Sequence, residues 1–580
     1  MVELNSYGLS QMIQRSRFLV VLAVFISTLT IFARLGQLPL RDPDEGRNSE
    51  VAREMQRSGA WLVPTYDGLA YLDKPSFYFK AVALSFSVFG SSEASARLPS
   101  ALSGFALLAM LFAFCRREYQ PATAAIAVII VATTPLFFAF ARHVIFDMAL
   151  AFLVCAAIFA GYLAEGAEGG RRKRWYLAGA AAAGFATLVK GPIGFLLPTL
   201  VLGVFNGLDR RTGWLKRYFA PLNLLVFFGV VLPWFIGVTR VRPDFAYYGI
   251  IEESFHRFTN ASFSRTGPFY YYGLVMLGGF YAWSVLVPEA AVAAWRWRLG
   301  WSRADRLFVV WAIVVVLFFS VSKSKLPGYI LTAVIALGVL TARLFAAAFE
   351  YREGAAARIV FRSLVLLGIL NAAVAGFLAL EVFDPGAYER LFGFRSTELK
   401  RVSVLFVPAL GMSLFLAVTA GVARWRRDVR LAFATFLVLP FALLTVGFGG
   451  LQQYSEASSA RALAARISEL PAQTEVACLE SFPCGLPFYL RRYVTVVTDN
   501  GAELTSNYIL FTLKKVKPWP TVLVPLAERD HWLATRDSAV FLLANRHSRL
   551  TLDTVAAERK AEVTELTPGW WGALLPPGSK

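Results

Sequence analysis

The segment RDPDEGRNSEVAREM, residues 41–55, places acidic groups shortly after the apolar run at residues 18–32. Carboxylates such as Asp42, Asp44 and Glu45 are costly at the mouth of a membrane span unless they face water or take part in chemistry, so they predict a functional site. They also favour a helix start, because negative charge in a first turn complements the positive end of the helix dipole. A capped helix at the interface without chemistry is the alternative that this motif alone leaves open.

Further ionisable groups stand at the ends of later apolar runs. They are Tyr71, Asp73 and Lys74 in YLDKPSFY, Arg142, His143 and Asp147 in ARHVIFDMA, Lys190 in LVKGP, Glu252, Glu253, His256 and Arg257 before FSRTGPFYYY, and Lys323, Lys325 and Tyr329 in SVSKSKLPGY. Singly, such lysines snorkel to the interface and such tyrosines form aromatic belts. Together, carboxylates beside several cations suit an anionic lipid phosphate held by Lys and Arg next to a base or a metal ligand.

Three classes of membrane protein use charged groups near a bilayer boundary. A transporter places them near the midplane in broken or repeated helices, and no repeat of two halves is visible in this sequence. A channel needs a ring of like groups, which the sequence does not display. Because the charged groups stand at span ends, the pattern favours an enzyme acting on a lipid-linked substrate, with a transporter as the alternative from a different class.

The composition independently predicts a polytopic membrane protein. Of 580 residues, 57% are hydrophobic and 17% charged, and the mean hydropathy is +0.53. Few soluble proteins carry so much apolar sequence in long uncharged runs. The net charge of +19 falls mainly in short connectors between apolar runs, which is the pattern that orients membrane proteins. We therefore expect no nucleic-acid partner.

Thirteen apolar segments are predicted to span the membrane as helices. They are residues 17–34, 97–115, 121–139, 145–164, 174–189, 192–207, 218–238, 268–291, 305–322, 327–348, 359–380, 402–423 and 429–447. The short apolar stretch at residues 75–90 carries Lys80 and is interpreted as a helix lying along the interface. Counting it as a span would place the basic connectors on the outer side, against the positive-inside rule.

The alternation of charge predicts which side each loop faces. With the N-terminus inside, six Lys- and Arg-rich connectors fall in the cytoplasm, at residues 116–117, 171–174, 210–217, 296–306, 352–362 and 424–430. The loops that hold the unusual polar groups, including residues 35–96, then face the outer side of the membrane. The predicted active site therefore lies on the outer face.

After residue 450 the composition changes to that of a small α/β domain. VTVVTD, YILFTL, TVLVPL and AVFLLA are typical of strands, and EASSARALAARISEL is typical of a helix. We expect a transmembrane catalytic domain at 1–450, with loop helices in 35–96, and a soluble periplasmic domain at 451–580. Cys478 and Cys484 can pair there if the compartment is oxidising.

The ordered motifs resemble the GT-C glycosyltransferases, which are polyprenyl-phosphate-dependent integral membrane enzymes. Within them the chain is most similar to the bacterial lipid A aminoarabinose transferases and their protein O-mannosyltransferase relatives. The resemblance covers about residues 18–345 and rests on eight segments in order: PDEGRNSEVAREM, LVPTYDGLAYLDKPSFYF, the Asp147 segment, LVKGPIGFLLP, VLPWFIGV, PDFAYYGIIEESFHRF, PFYYYGLVMLGGFYAWSVLVP and FFSVSKSKLPGYILTA.

The resemblance implies transfer of a sugar from an undecaprenyl-phosphate donor to lipid A or another envelope glycan, among the lipids of a bacterial inner membrane and on its periplasmic side. A protein acceptor, as in the O-mannosyltransferases, is the alternative. The residues that match the motifs imply these roles: Asp44, Asp147 and Glu45 as catalytic groups, and Arg47, Tyr71, Lys74, Arg257, Lys325 and Tyr329 as ligands of the substrate or the lipid phosphate.

Three positions depart from the motifs of the family. Asn48 stands where a tyrosine is usual, Asp73 replaces a glutamate, and Ser254 replaces a histidine while His256 stands two positions on. If the family binds a divalent metal ion through this acid and this histidine, Asp73 and His256 are the candidate ligands in this chain. Because both positions depart from the motifs, metal dependence stays open. The identity of the sugar, which could also be a uronic acid or a hexose, stays open for the same reason.

Overall fold

A computed structural model describes residues 2–256, 266–296, 300–393 and 402–578 of the chain. By its internal contacts the chain divides into two units. Unit 1 comprises Met1–Leu35, Ser100–Pro233 and Ser254–Leu451, and unit 2 comprises Gly36–Pro99, Trp234–Glu253 and Gln452–Lys580. Unit 2 thus combines the first polar loop and the C-terminal stretch, which are far apart in sequence.

Helices occupy all thirteen segments predicted to span the membrane. In order they are Val2–Phe32, Glu93–Glu118, Pro121–Thr133 with Pro135–Ala141, Asp147–Glu165, Gly169–Lys190, Ile193–Leu208, Pro221–Val241, Tyr271–Gly279 with Trp283–Arg296, Arg303–Val321, Pro327–Glu350, Ala355–Phe383, Ser403–Arg426, and Val429–Leu444 with Phe448–Ala457. Among the described residues, seven of these helices are long and apolar enough to cross a membrane, or ten if each bent pair forms one span.

The remaining three segments do not meet those limits, so the count of thirteen stays a prediction. The apolar part of the first helix, Ser16–Phe32, and the helix Ile193–Leu208 are short. Helix Gly169–Lys190 has 22 residues, but it begins with the basic run 171–174. Helix Phe77–Phe89 is also apolar, and its 13 residues are too few to span a bilayer, for which about 20 are needed.

The core of unit 1 is an aromatic and aliphatic cluster shared by its helices. Trp283 and Trp311 are fully buried in it, and Phe114 stacks on Phe159 with ring centroids 4.1 Å apart. Small residues let helices approach closely, since a Cβ on Gly338 would lie 2.5 Å from the Val131 side chain. Such close packing through small residues is typical of helices in membranes.

Unit 2 contains a short antiparallel hairpin and a six-stranded mixed sheet. The hairpin strands are β1 (Thr65–Tyr66) and β2 (Leu69–Ala70). The sheet strands are β3 (Glu475–Leu479), β4 (Thr495–Thr498), β5 (Leu523–Pro525), β6 (Val540–Asn545), β7 (Val563–Thr567) and β8 (Trp570–Leu575), arranged β5-β4-β3-β6-β8-β7. The first four positions are parallel, and β8 and β7 extend the sheet antiparallel.

Helices complete unit 2 around the sheet. They are Asp44–Ser58, Phe77–Phe89, Phe245–Tyr247 with the π-helical turn Tyr248–His256, Arg461–Ile467, Leu486–Leu490, Asn507–Leu513, Arg529–Ala534 and Arg549–Glu558. The last residues of the π-helical turn belong to unit 1. One side of the sheet is aliphatic, with Leu479, Val497 and Leu542 packed on Leu552 and Val555. Strands at the predicted VTVVTD, TVLVPL and AVFLLA segments are confirmed.

The strand predicted at YILFTL is wrong. Residues 507–513 form a helix whose start is capped by Ser506, since its hydroxyl accepts a hydrogen bond from Ile509 N at 3.3 Å. A serine before such a run is a helix start signal that can override β-propensity. The possible pairing of Cys478 with Cys484 is also not found, because all four cysteines of the chain are free and buried.

Candidate active site

The predicted site residues fall into two clusters, one in each unit. Unit 2 holds Asp44, Glu45, Arg47, Tyr71, Asp73 and Lys74, and unit 1 holds Asp147, Lys325 and Tyr329 together with the metal candidate His256. Arg257, a predicted phosphate ligand, lies outside the described residues.

Helix Asp44–Ser58 carries the first cluster, and it is buried although most of its residues are polar. Every residue from Glu45 to Met55 is buried. Asp44 and Glu45 occupy the first turn, Arg57 the last, and Gly59 ends the helix in a left-handed conformation with φ 70°. This distribution of charge and this C-cap are what the helix dipole and chain geometry favour. A buried polar helix needs partners for its side chains, and these partners define the cluster.

Asp44 is the carboxylate of this helix that reaches solvent. Its side chain is 45% exposed, and it accepts a hydrogen bond from Arg47 Nη2 one turn along the helix. The Arg47 side chain is only 9% exposed. An exposed carboxylate held by a buried guanidinium is an oriented acceptor, suited to bind a hydroxyl or to remove its proton.

Glu45 points inward and has a different environment. Its side chain is 1% exposed, and Arg97 Nε and Nη2 donate to its two oxygens at 2.8 and 2.9 Å. Arg41 N also donates to Glu45 Oε2 at 3.1 Å. Because both oxygens are bound in a bidentate pair, the geometry gives Glu45 a role in anchoring the helix start.

Tyr71 lies deep in the same cluster. It is 2% exposed, and its ring packs edge-on against Tyr66 and Phe79 at 6.0 and 5.7 Å. Burial raises the pKa of Tyr71 far above its ordinary value, although the positive charge of Arg47 opposes the shift. The phenol therefore stays protonated and can act only as a neutral hydrogen-bonding group.

Lys74 and Asp73 are each occupied by partners from other segments of unit 2. Lys74 Nζ donates to the Glu253 carboxylate and to the Asp73 carbonyl at 2.9 Å, and both side chains of the ion pair are about nine-tenths buried. The Asp73 carboxylate accepts from Tyr248 Oη at 3.0 Å and from Tyr508 N at 2.7 Å. A phosphate that binds Lys74 must therefore compete with the Glu253 carboxylate.

The arrangement does not fit a divalent metal site. A metal needs several open oxygen or nitrogen ligands, whereas the Asp73 oxygens are occupied by backbone amides and a phenol. Burial raises the pKa of Asp73, and the Glu253 charge raises it further. Within the described part of the chain, no three His, Cys, Asp or Glu side chains are grouped so that they could hold an ion. We derive no catalytic step through a metal.

The second cluster is centred on Asp147, the first residue of helix Asp147–Glu165. Lys190 ends helix Gly169–Lys190, and its Nζ donates to Asp147 Oδ1 at 2.5 Å. The same ammonium lies 4.7 Å from the centroid of the Tyr329 ring. Asp147 and Lys190 are less than a tenth exposed, so the pair is oriented in surroundings of low dielectric.

Lys190 is one of the ionisable groups that the sequence places at span ends, but the family motifs imply no catalytic or binding role for it. The signal was the position of this lysine directly before Gly191 and Pro192, where one helix must end and the next begin. An ionisable residue at such a break is a candidate for function. What the sequence could not reveal was its partner Asp147, which lies 43 positions away.

Lys325 caps a helix. Its ammonium donates to the carbonyl oxygens of Phe319, Ser320 and Ser322 at 3.4, 2.7 and 2.8 Å. These are the carbonyls at the C-terminal end of helix Arg303–Val321, where a positive charge is favourable. Burial lowers the pKa of Lys325, and the neighbouring Lys323 lowers it further. The predicted phosphate contact of Lys325 would require it to release at least one of these carbonyls.

The chain is similar to known proteins over most of its length. A family model described as dolichyl-phosphate-mannose-protein mannosyltransferase matches residues 73–236. The undecaprenyl phosphate-alpha-4-amino-4-deoxy-L-arabinose arabinosyl transferase of Serratia proteamaculans is 26% identical over 436 residues, which cover 73% of this chain and 76% of that protein. The corresponding transferase 2 of Sodalis glossinidius is 34% identical over 326 residues, covering 55% and 59%.

Two crystal structures share the fold across nearly the whole chain. ArnT from Cupriavidus metallidurans bound to undecaprenyl phosphate has a TM-score of 0.80 and 25% identity, covering 97% of this chain and 99% of that one. The same protein in the apo state has a TM-score of 0.78 and 26% identity, covering 96% and 97%. The likeness therefore includes the C-terminal sheet of unit 2 as well as the helices.

Proposed function

We propose that this chain, a polyprenyl-phosphate-dependent membrane glycosyltransferase of the GT-C type, transfers 4-amino-4-deoxy-L-arabinose from undecaprenyl phosphate to lipid A. The observation that carries the proposal is the match over nearly the full length to a transferase that binds undecaprenyl phosphate. The curated relatives are named for this donor and this sugar. The two clusters of oriented carboxylates and cations supply the chemistry that such a transfer needs.

In the proposed reaction, cations bind the phosphate of the donor lipid. Lys74 and Arg257 are the proposed ligands, with Lys325 and Tyr329 as further candidates. As the bond from the sugar carbon to the phosphate oxygen breaks, negative charge grows on the phosphate, and fixed cations stabilise that charge in the transition state. Lys74 exchanges the Glu253 carboxylate for the phosphate when the donor binds.

Asp44 is the proposed group that contacts the acceptor. A hydroxyl acceptor must lose a proton, and a positioned carboxylate contributes about 10²- to 10⁴-fold to such a step. A phosphate acceptor on lipid A is already ionised, and Asp44 then orients it through a shared hydrogen-bonding group or a cation. Asp147, held by Lys190, is the proposed second acid. Direct attack of the acceptor inverts the configuration of the sugar carbon.

The site is proposed to face the periplasm, with the C-terminal stretch on the same side. The support is the distribution of Lys and Arg, which concentrates in the opposite set of connectors. The division into a catalytic domain at 1–450 and a soluble domain at 451–580 stays a prediction of the same kind.

Mass spectrometry of lipid A tests the proposal. Cells that contain the chain should yield lipid A heavier by one aminopentose, and cells with the Asp44→Asn variant should not, at equal protein level. The asparagine amide oxygen can still accept from Arg47, but the buried guanidinium loses its charged partner. The unfolding temperature of the variant, measured in parallel, therefore separates loss of transfer from loss of fold. Unmodified lipid A beside newly glycosylated periplasmic proteins would instead favour the protein acceptor suggested by the family model.

A further inference from the structure

Thr505 has an unfavourable backbone conformation in the loop after β4. Its φ is +54°, in the left-handed region that β-branched residues rarely occupy, at a cost on the order of 1–3 kcal/mol. Neighbours in space must hold such a residue in place. One such neighbour is Arg47, whose Nη1 donates to the Thr505 carbonyl at 3.0 Å and to its hydroxyl at 2.7 Å. The Cys484 thiol also lies 3.5 Å from this hydroxyl.

Arg47 connects Thr505 to the exposed carboxylate. Its Nη1 is bound by Thr505, and its Nη2 donates to Asp44. A guanidinium is planar, so fixing one nitrogen fixes the direction in which the other donates. Arg47 is 7% exposed, whereas Thr505 is exposed and the Asp44 side chain is 45% exposed. The guanidinium is therefore the buried centre of the connection, and the residues at its two ends reach solvent.

The residues that follow contact the second motif of the same unit. Backbone N–H groups of Asn507 and Tyr508, at the start of helix Asn507–Leu513, donate to the Asp73 carboxylate at 3.3 and 2.7 Å. Asp73 directly precedes Lys74, whose ammonium returns to the Asp73 carbonyl. Segment 505–508 therefore contacts both sequence motifs to which catalytic and phosphate-binding roles are assigned.

We propose that Thr505 is a positioning residue of the transfer reaction: through Arg47 it holds the Asp44 carboxylate in its productive direction. This inference rests on the proposed function of Asp44. It gives a role in the reaction to the C-terminal region, in which the sequence shows no chemical motif. Thr505 itself does not touch the substrate.

Three substitutions at this position separate positioning from general stability. Thr505→Val removes the hydroxyl and keeps the shape. Thr505→Ser keeps the hydroxyl. Thr505→Gly removes the hydroxyl but relieves the left-handed backbone, which glycine adopts without cost. Thr512→Val is the matched control, since the Thr512 hydroxyl donates to the Ile509 carbonyl of its own helix at 2.9 Å and bonds to no other segment in the described part of the chain.

Turnover of the purified full-length protein with undecaprenyl-phosphate aminoarabinose and lipid A is the readout, together with the midpoint of thermal unfolding. Thr505→Val and Thr505→Gly should each lower kcat about tenfold, the effect of losing one hydrogen bond to a charged group, with KM for the donor unchanged. Thr505→Ser and Thr512→Val should retain wild-type kcat. Thr505→Gly should unfold at or above the wild-type temperature, so that its loss of turnover is not a loss of fold.

Wild-type kcat in Thr505→Gly, or a Ser variant as slow as the Val variant, would overturn the inference. The reference variant Asp44→Asn separates this outcome from failure of the proposed function. If Asp44→Asn remains active, the role of Asp44 itself is wrong. If Asp44→Asn is inactive while all Thr505 variants are fully active, only the positioning role is wrong.

Discussion

At the scale of single residues, the partner of each charged group decides what it can do. Helix Asp44–Ser58 carries four carboxylates, and other groups of the protein bind three of them. Glu45 pairs with Arg97, Glu50 pairs with Arg53, and Glu54 accepts hydrogen bonds from the β1–β2 hairpin. Asp44 is the fourth, and it faces solvent. The motif identifies the segment, whereas the choice among its acids depends on residues such as Arg97 that lie far along the chain.

The ion pair of Lys74 with Glu253 leads to a prediction about donor affinity. In Glu253→Gln the donor phosphate no longer competes with a carboxylate for the Lys74 ammonium. We expect a KM for the donor lipid several-fold lower than that of the wild type, and a lower unfolding temperature without donor, since a buried charge then lacks its partner.

Initial-rate kinetics at varied donor concentration measures this effect. Glu469→Gln is a suitable control, because Glu469 is 69% exposed at the surface and pairs loosely with Arg466 at 3.9 Å. A higher donor KM in Glu253→Gln would mean that Glu253 helps to bind the donor and does not compete with it.

Gly328 supplies a second prediction, for the Asp147 cluster. A Cβ at this position would lie 2.8 Å from Asp147 Oδ1 and equally close to the Phe140 ring. Gly328→Ala should therefore push the carboxylate away from Lys190, at a modest cost in stability of about 1–3 kcal/mol, and lower kcat about tenfold or more if Asp147 takes part in the reaction.

The matched control is Gly273→Ala, where a Cβ meets no atom within 4 Å. Turnover assays on both variants, with unfolding temperatures measured in parallel, decide the point. Equal turnover in the two alanine variants would remove Asp147 from the chemistry.

At the scale of elements, the buried polar helix Asp44–Ser58 should make unit 2 sensitive to pH. Burial, together with the nearby Glu50 charge, raises the pKa of Glu54 to about 7. Burial likewise raises the pKa of Asp67, which accepts from Val494 N at 2.9 Å. Arg53 is the cation near the carboxyl groups of Glu54 and Asp67, and two of its nitrogens donate to Glu50.

The sign of the effect follows from linkage. A carboxyl whose pKa is higher in the folded state than in the unfolded chain binds more protons when folded. Its contribution to the free energy of unfolding is therefore fully present below the unfolded pKa and is lost as pH rises to the folded pKa. For Glu54 that window runs from its ordinary value of 4.5 to about 7. Wild-type stability should fall across it.

Glu54→Gln should remove this part of the pH dependence. A glutamine oxygen can still accept from the Thr65 hydroxyl and Gly68 N, which both reach Glu54 Oε2. The variant should unfold at a higher temperature than the wild type at pH 8 and at nearly the same temperature at pH 5. Thermal unfolding measured at both pH values tests this. A variant destabilised at pH 8 would show that the ionised Glu54 carboxylate stabilises the folded protein, and thus that folding does not raise its pKa.

The elements also show where sequence patterns suffice. The apolar run at 305–322 locates helix Arg303–Val321 to within two residues at each end, because the signal is local. YILFTL was predicted as a strand, yet its first residues bind Asp73 and its Ser506 cap fixes a helix. The sequence patterns do not predict strands β3, β7 and β8. Strand β3 contains Glu475 and Ala477, which are weak strand formers, and β7 and β8 are stabilised by pairing with strands already in the sheet.

At the scale of the whole molecule, composition and charge were sufficient to predict a polytopic helical membrane protein. They could not predict that the loop at 36–99, the segment 234–253 and the C-terminal stretch pack into one unit. Such packing depends on contacts across hundreds of residues, among them Asp73 with Tyr508 and Arg47 with Thr505. Local periodicity carries no information about these partners.

The sidedness of the chain can be tested with introduced cysteines. All four native cysteines are buried, so a membrane-impermeant maleimide should label the folded wild type weakly. Leu550→Cys lies on an exposed position in the C-terminal stretch, 80% exposed, and Arg171→Cys lies on an exposed position in a basic connector. In cells whose outer membrane is permeabilised, the Leu550→Cys variant should be labelled, whereas the Arg171→Cys variant should be labelled only after the inner membrane is opened. The positive-inside rule requires this outcome. The polyprenyl-linked sugar and lipid A must both reach the site from one side of the membrane. Labelling of both cysteines while the inner membrane is intact would therefore contradict the proposed periplasmic transfer.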